Sequence, residues 1–293
     1  MGSAISNDKT ADGAIVMNAL NSVLTALTDE FFSVWVGGPA WAPLIVVSAI
    51  SGILAAIVFR FTSRQDLLRR DAELVQSQLL AMKLFRDDLG TMCVSLGRLL
   101  RYTARRLWHS MPPMLVMTVP FVLLLAQLAR WYEHAPLVVG DQAIVALQLS
   151  EDAWSHSTVA APEPSAELEV ETPSLRDPRE HAVYWRIRVV KPSVGMLRWS
   201  LPQKTIEKTV AVADGRERLM AVDTKRPGPA WTDRLLHPGE AAFAASDAIH
   251  GIAIQYPRRS TPVLGLDWPW WATFLLVSLV GAVFAGRIMR VQF

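Results

Sequence analysis

A single cysteine, Cys93, leaves no partner for an intrachain disulfide. Any part of the chain exposed to an oxidising compartment must therefore be held by its core alone. Charge is nearly balanced, at +2 over 293 residues, which gives no footing for a specific nucleic-acid partner. The six histidines, at 109, 134, 156, 181, 237 and 250, show no metal-ligand spacing. Glu133, His134 and Asp141 read as a local polar cluster. Gly-rich phosphate loops and the HExxH and GxSxG patterns are missing. Asp87 and Asp88 fall at an expected turn, where solvated caps are far commoner than catalytic acids. Cys93 has no neighbouring histidine to activate it. The chain is thus expected to be nonenzymatic, with no catalytic residue, cofactor or metal.

What it does have is apolar length. Hydrophobic residues make up 51% of the chain and its mean hydropathy is +0.25, while charged residues still reach 19%. That mixture suits a few membrane spans joined to water-soluble parts. Uncharged runs cover about Trp41–Phe59, Met111–Ala129 and Trp268–Gly286. Each is close to the roughly 20 residues a helix needs to cross hydrocarbon, and only a helix satisfies every backbone group within such a run.

Arginines set the expected orientation. Arg60, Arg64, Arg69 and Arg70 follow the first run; Arg98, Arg101, Arg105 and Arg106 precede the second; Arg287 and Arg290 follow the third. The other ends carry Arg130, Arg258 and Arg259, together with Trp41, Trp131, Tyr132, Trp268, Trp270 and Trp271. The expectation is a multi-pass protein of the inner (cytoplasmic) membrane, N-terminus outside and C-terminus cytoplasmic. Its divisions are 1–37, a tail and amphipathic interfacial helix; 38–60, a first span; 61–110, a cytoplasmic coiled-coil hairpin; 111–130, a second span; 131–267, an extracytoplasmic domain; 268–286, a third span; and 287–293, a cytoplasmic tail.

The segments between the runs have distinct patterns. Val16, Leu20, Val23, Leu24, Leu27 and Phe31 recur at helical spacing, with polar residues on other faces, as expected of a helix lying in the membrane interface. Leu68, Val75, Met82 and Leu89 share a seven-residue repeat with Ala72 and Leu79 at the companion position, which predicts a coiled-coil seam. A turn is expected at 87–91, with Gly90 taking positive φ and Thr91 capping the next helix. Residues 132–267 hold short alternating runs at 143–149, 183–190, 196–199, 208–212 and 251–256, the pattern of an antiparallel β-sandwich. Glu151 to Glu171 reads as a long surface loop. The fold class is therefore a three-span α-helical membrane protein with a sandwich-like all-β domain.

In the spans, Gly52 with Ala56 and Gly281 with Ala285 are small-residue pairs that let helices approach closely. Pro112, Pro113 and Pro120 loosen the second run, and Met111, Met114, Met117, Met82 and Met92 provide a polarizable, adaptable apolar surface.

The order of span, basic helical hairpin, span, connection and span resembles the YidC-type membrane insertase superfamily, including its three-span relatives. The likeness covers about residues 13–130 and 268–293, and Gln78–Lys83 looks like the Met-Lys element of their hairpins. The resemblance implies a groove among the spans that shields polar parts of a nascent segment. It implies Ser48, Ser51, Thr118 and Gln127 as its polar lining, Arg60 as its cation, and Met114 and Met117 as its apolar slide. Met82, Lys83, Arg86 and Met92 would capture substrate on the hairpin. Implied partners are the lipid bilayer, nascent membrane proteins or the ribosome, and an envelope protein bound by the β-domain. The alternative is a membrane-anchored scaffold or subunit of an envelope complex.

Overall fold

The computed structural model describes residues 19–35, 37–63, 65–84, 89–156, 161–163, 165–200, 204–215, 218–262 and 267–289. The chain divides into two compact units, a β unit (Met1–Pro43 with Leu123–Trp270) and a helical unit (Leu44–Val122 with Trp271–Phe293). The first helix, α1, covers residues 19–33. It is followed by α2 (Trp41–Thr62), α3 (Gln65–Leu84) and α4 (Leu89–Tyr132), and the last helix is α7 (Trp270–Met289).

Among the described residues three helices, α2, α4 and α7, are long and apolar enough to cross a membrane. Within the helical unit, α2 and α7 meet backbone to backbone. A Cβ on Gly52 would overlap the main chain of Ser278, and one on Gly281 would sit 3.1 Å from the Ala49 carbonyl oxygen. The glycine of each small-residue pair singled out in the sequence thus lies where the two helices touch, and Ala56 and Ala285 are buried. Glycine removes the side chain that would hold the backbones apart, and dispersion between closely fitted surfaces replaces a hydrophobic drive that lipid cannot supply. Phe121 of α4 packs edge-on against Phe274 of α7, ring centroids 6.1 Å apart.

Helix α4 is a single 44-residue element that runs through Pro112, Pro113 and Pro120. The expected turn at 87–91 is corrected in part: residues 85–88 lie outside the described residues, but Gly90 and Thr91 are already helical. The first turn of a helix has no N–H committed to an internal bond, so glycine and threonine cost little there.

Among the described residues the β unit has eight strands, five of them overlapping the expected runs and three short ones where no run was expected. They are β1 (Gln142–Leu149), β2 (Leu168–Val170), β3 (Leu175–Asp177), β4 (Ala182–Val189), β5 (Gly195–Ser200), β6 (Thr205–Val210), β7 (Lys225–Arg226) and β8 (Ile249–Ile254). A six-stranded sheet has the order β2-β4-β1-β8-β7, with β3 also pairing β4, and β5 pairs β6 in a second sheet. All of these pairings are antiparallel. Alternation decides the faces: β1 buries Ala143, Val145, Leu147 and Leu149, while β5 buries Leu197 and Trp199. Both sheets feed one core, in which Trp185 of β4 and Trp199 of β5 lie 6.1 Å apart. Gly140, at φ +90, makes the tight turn into β1.

The 151–171 stretch is not the plain loop expected from its composition. It contains the short helix α5 (Glu151–His156), whose first turn is capped by the Ser150 hydroxyl accepting from Ala153 N–H at 3.2 Å, and then β2. Ala153 and Leu168 join the core. Two core contacts separated by acidic and proline-rich residues are too sparse to register as a periodic pattern. The remaining helix, α6 (Trp231–Leu236), lies between β7 and β8.

Candidate functional site

The groove residues implied by resemblance fall into separate environments. Ser48 and Ser51 are buried, their hydroxyls turned back onto the Leu44 and Ser48 carbonyls at 2.6 and 2.8 Å. Serines bonded to their own helix in this way hide their polarity rather than offer it. Met114 and Thr118 are exposed on α4, and Met117 is half-buried. The Thr118 hydroxyl donates to the Met114 carbonyl at 2.9 Å. Arg60 is exposed near the end of α2. Gln127 is buried in the β unit, where it bonds Thr25, Thr28 and Arg130. Met114, Met117 and Thr118 therefore share a stretch of α4, whereas the two serines are buried and Gln127 is bonded within the β unit.

Of the hairpin residues, Arg86 lies outside the described residues, as do the side chains of Met82, Lys83 and Met92. The coiled-coil seam finds no support, because Leu79, at its companion position, is 52% exposed. A polar contact joins α3 to α4 instead. Asp71 is fully buried and accepts from Arg105 Nε at 2.8 Å, with His109 Nδ1 2.8 Å from its other oxygen. Burial by itself would raise the pKa of Asp71, but the bonds from Arg105 and His109 outweigh it and hold the carboxyl below its usual range. The signal was present in sequence. Asp71 interrupts the apolar stripe between Leu68 and Val75, and its guanidinium partner is one of the arginines that mark the basic end of a span.

The most elaborate site belongs to the β unit. Thr25 and Thr28 of α1 meet Gln127 of α4, Asp29 meets Arg130 at 3.2 Å, and Phe32 stacks on Trp131 at 4.7 Å. These pairings advance along both helices, so α1 runs beside the last turns of α4. Arg130, 7% exposed at its side chain, also grips Asp223 through Nε at 2.6 Å and through a second nitrogen at 3.2 Å. This forked geometry is the strong form of an ion pair. Gly239 completes it, since a Cβ at that position would collide with the Asp223 carboxylate and crowd Arg130.

Behind this pair, Lys208 of β6 is buried. Its Nζ donates to the Asp223 carbonyl at 2.6 Å and lies 3.0 Å from a Glu240 oxygen. Burial pulls the Lys208 pKa down and pushes that of Glu240 up, and each partially offsets the other's shift. Burial also lowers the pKa of His134 and His237. A cavity of about 330 Å³ opens beside this network, lined by Asn21, Asp29, Arg234, His237 and Glu240 among others. Nothing in the sequence brought Arg130, Lys208, Asp223 and Glu240 together, because their separations carry no period. Arg130 alone stood out, as a cation at the sparsely charged end of a span.

Among the described residues no group of histidine, cysteine or carboxylate side chains could hold a metal ion. No protein-family model, curated protein or solved structure matches the chain.

Proposed function

We propose that this protein is a nonenzymatic membrane-protein biogenesis factor of the YidC-like insertase type, in which α4 presents the surface that an entering apolar segment slides along. The observation that carries this reading is the character of α4. One unbroken helix links the basic segment to the apolar run and leaves Met114, Val116 and Thr118 exposed. Its three prolines lack an N–H, so the carbonyls of Trp108, His109 and Val116 receive no donor four residues on. Carbonyls without that helical donor, beside flexible methionines, give an apolar wall with local polarity. Such a wall lowers the cost of bringing an incoming polar group into hydrocarbon, which is about 2–7 kcal/mol per unpaired group. In this reading the protein spans the cytoplasmic membrane with its N-terminus outside, residues 61–110 face the cytosol and recruit nascent chains or the ribosome, and the β unit works on the far side.

Photo-crosslinkers at Met114 and Thr118 are expected to capture a nascent membrane protein, while the same probe at Ser48 or Ser51, buried between helices, captures none. Equal labelling at all four positions, or labelling of a stable subunit alone in the absence of translation, would sink the insertase reading. The latter result would favour the second reading, a membrane-anchored scaffold of an envelope complex. That reading draws support from a cavity of about 740 Å³ in the β unit, lined by Trp41, Arg258, Arg259, Thr261 and Asp267 among others, which is large enough to take a partner's side chains.

A further inference from the structure

Helix α1 is amphipathic in an inverted sense. Its polar residues Asn21, Thr25, Thr28 and Asp29 are directed onto protein, through bonds to the Arg234 carbonyl at 2.8 Å, to the Pro238 carbonyl and Gln127, and to Arg130. Val23 and Leu27 point away from it, 58% and 63% exposed, alongside the exposed Glu30, whereas Phe32 near the end of the helix turns its ring onto Trp131. A helix in water does the opposite, because every exposed apolar side chain forgoes about 1.5–3 kcal/mol of burial. The arrangement is favoured where the medium outside the protein is itself apolar.

Helix α6 repeats the pattern. It has no buried residue, yet Trp231 and Leu236 are 67% and 55% exposed. It is tied down by polar contacts, Lys225 Nζ to Asp233 at 2.7 Å and the Arg234 carbonyl accepting from Asn21 of α1. Two adjacent elements therefore spend their hydrogen bonds inward and their hydrocarbon outward.

Their place along α4 identifies the medium. Leu236 lines a small cavity together with Ala126 and Ala129 of α4, and α1 meets α4 at Gln127 and Arg130. Ala126, Gln127 and Ala129 belong to the apolar run of a helix long and apolar enough to cross a membrane. Residues level with that run are level with lipid. We infer that the exposed faces of α1 and α6 form one lipid-facing collar around this end of α4. It would seat the β unit in the interfacial region of the bilayer through Val23, Leu27, Trp231 and Leu236, with the tryptophan at headgroup depth. The occupant is lipid rather than protein, and the inference holds whatever the hairpin binds.

The lone native cysteine makes the test clean. In the full chain carrying Cys93→Ser, single cysteines replace Val23, Leu27 or Leu236, with Leu175 on the edge strand β3 as the exposed reference. Each is labelled with an environment-sensitive fluorophore, and the protein is reconstituted into phosphatidylcholine vesicles containing doxyl-labelled lipid. All four side chains are exposed, so labelling leaves the core intact. Labels at 23, 27 and 236 are expected to lose most of their emission to the doxyl lipid and little to aqueous iodide, with the reverse at 175. Iodide quenching at 23, 27 and 236 equal to that at 175 overturns the inference. Shielding from both quenchers also overturns it, since a protein would then cover the face.

Discussion

The β unit and the helical unit are held together by opposite means. In the β unit, a shared apolar core is accompanied by buried charge, with Arg130 and Lys208 enclosed and answered by Asp223, Asp29 and Glu240. In the helical unit, α2 and α7 touch through Gly52 and Gly281 with their serines folded back on their own helices. The one deeply buried carboxylate described there is Asp71. Buried ions demand partners, and a side chain removed from the pair leaves the other stranded. Helices packed on glycine demand space, and a side chain added drives them apart. The two units should therefore fail under different substitutions, charge loss in one and added volume in the other.

The largest test is Arg130→Met. It removes the cation shared by Asp223 and Asp29 while keeping apolar volume. The carboxylates left behind are 22% and 44% exposed, so the cost falls below the fully buried case, toward the upper end of about 1–3 kcal/mol. Denaturant unfolding of the detergent-solubilised full chain, followed by the tryptophans of the β unit, is expected to lose stability in that range. A loss under about 1 kcal/mol would place the pair in the class of weak surface bridges and undo the comparison. Gly239→Ala attacks the same network by volume. The added methyl meets the Asp223 carboxylate and Arg130, so about 1–3 kcal/mol is expected from overpacking. Glycine-to-alanine changes at compatible backbone positions usually stabilise, so a neutral result would mean that Asp223 can withdraw.

The helical counterpart is Gly52→Ala. Its methyl would fall on the main chain of Ser278, and the cost is again about 1–3 kcal/mol, toward the low end if α7 can slide. Denaturant unfolding of the detergent-solubilised chain is expected to register that loss in Gly52→Ala and a smaller one in Gly281→Ala, whose methyl would sit 3.1 Å from the Ala49 carbonyl oxygen rather than on it. Unchanged stability in both variants would show that the pair does not depend on close backbone approach.

The contrast also explains how much could be read from sequence. Spans announce themselves because roughly 20 uncharged residues in a row have few other uses. The main strands appear because alternation survives in Ala143–Leu149 and Ala182–Val189. Gly52 and Gly281 were legible for the same reason, being local spacings. The charge network was not. Arg130, Lys208, Asp223 and Glu240 come from one helix, one strand and two connecting segments, and only the fold makes them neighbours. Even α1 was half legible: its period gave a helix with an apolar face, but which face meets the protein depends on Gln127 and Arg130, far along the chain.

Asp71 supplies the smallest effect and the sharpest check on the comparison, because it is the point where the helical unit behaves like the β unit. Its carboxyl is held below the usual range by the bonds from Arg105 and His109. A carboxyl with a depressed folded-state pKa contributes stability above its unfolded value, near 3.8, and that contribution is lost as pH falls through the folded value. Hydrogen exchange in α3 is therefore expected to keep constant protection, after correction for intrinsic rates, from neutral pH down to about 4, and to lose it below. Asp71→Asn should abolish this dependence at a cost of no more than about 1 kcal/mol, because the guanidinium partner stays half-exposed and screened by solvent. If protection in the variant followed pH as in the parent chain, the α3–α4 contact would owe its stability to apolar packing. The helical unit would then use no ionic device at this contact.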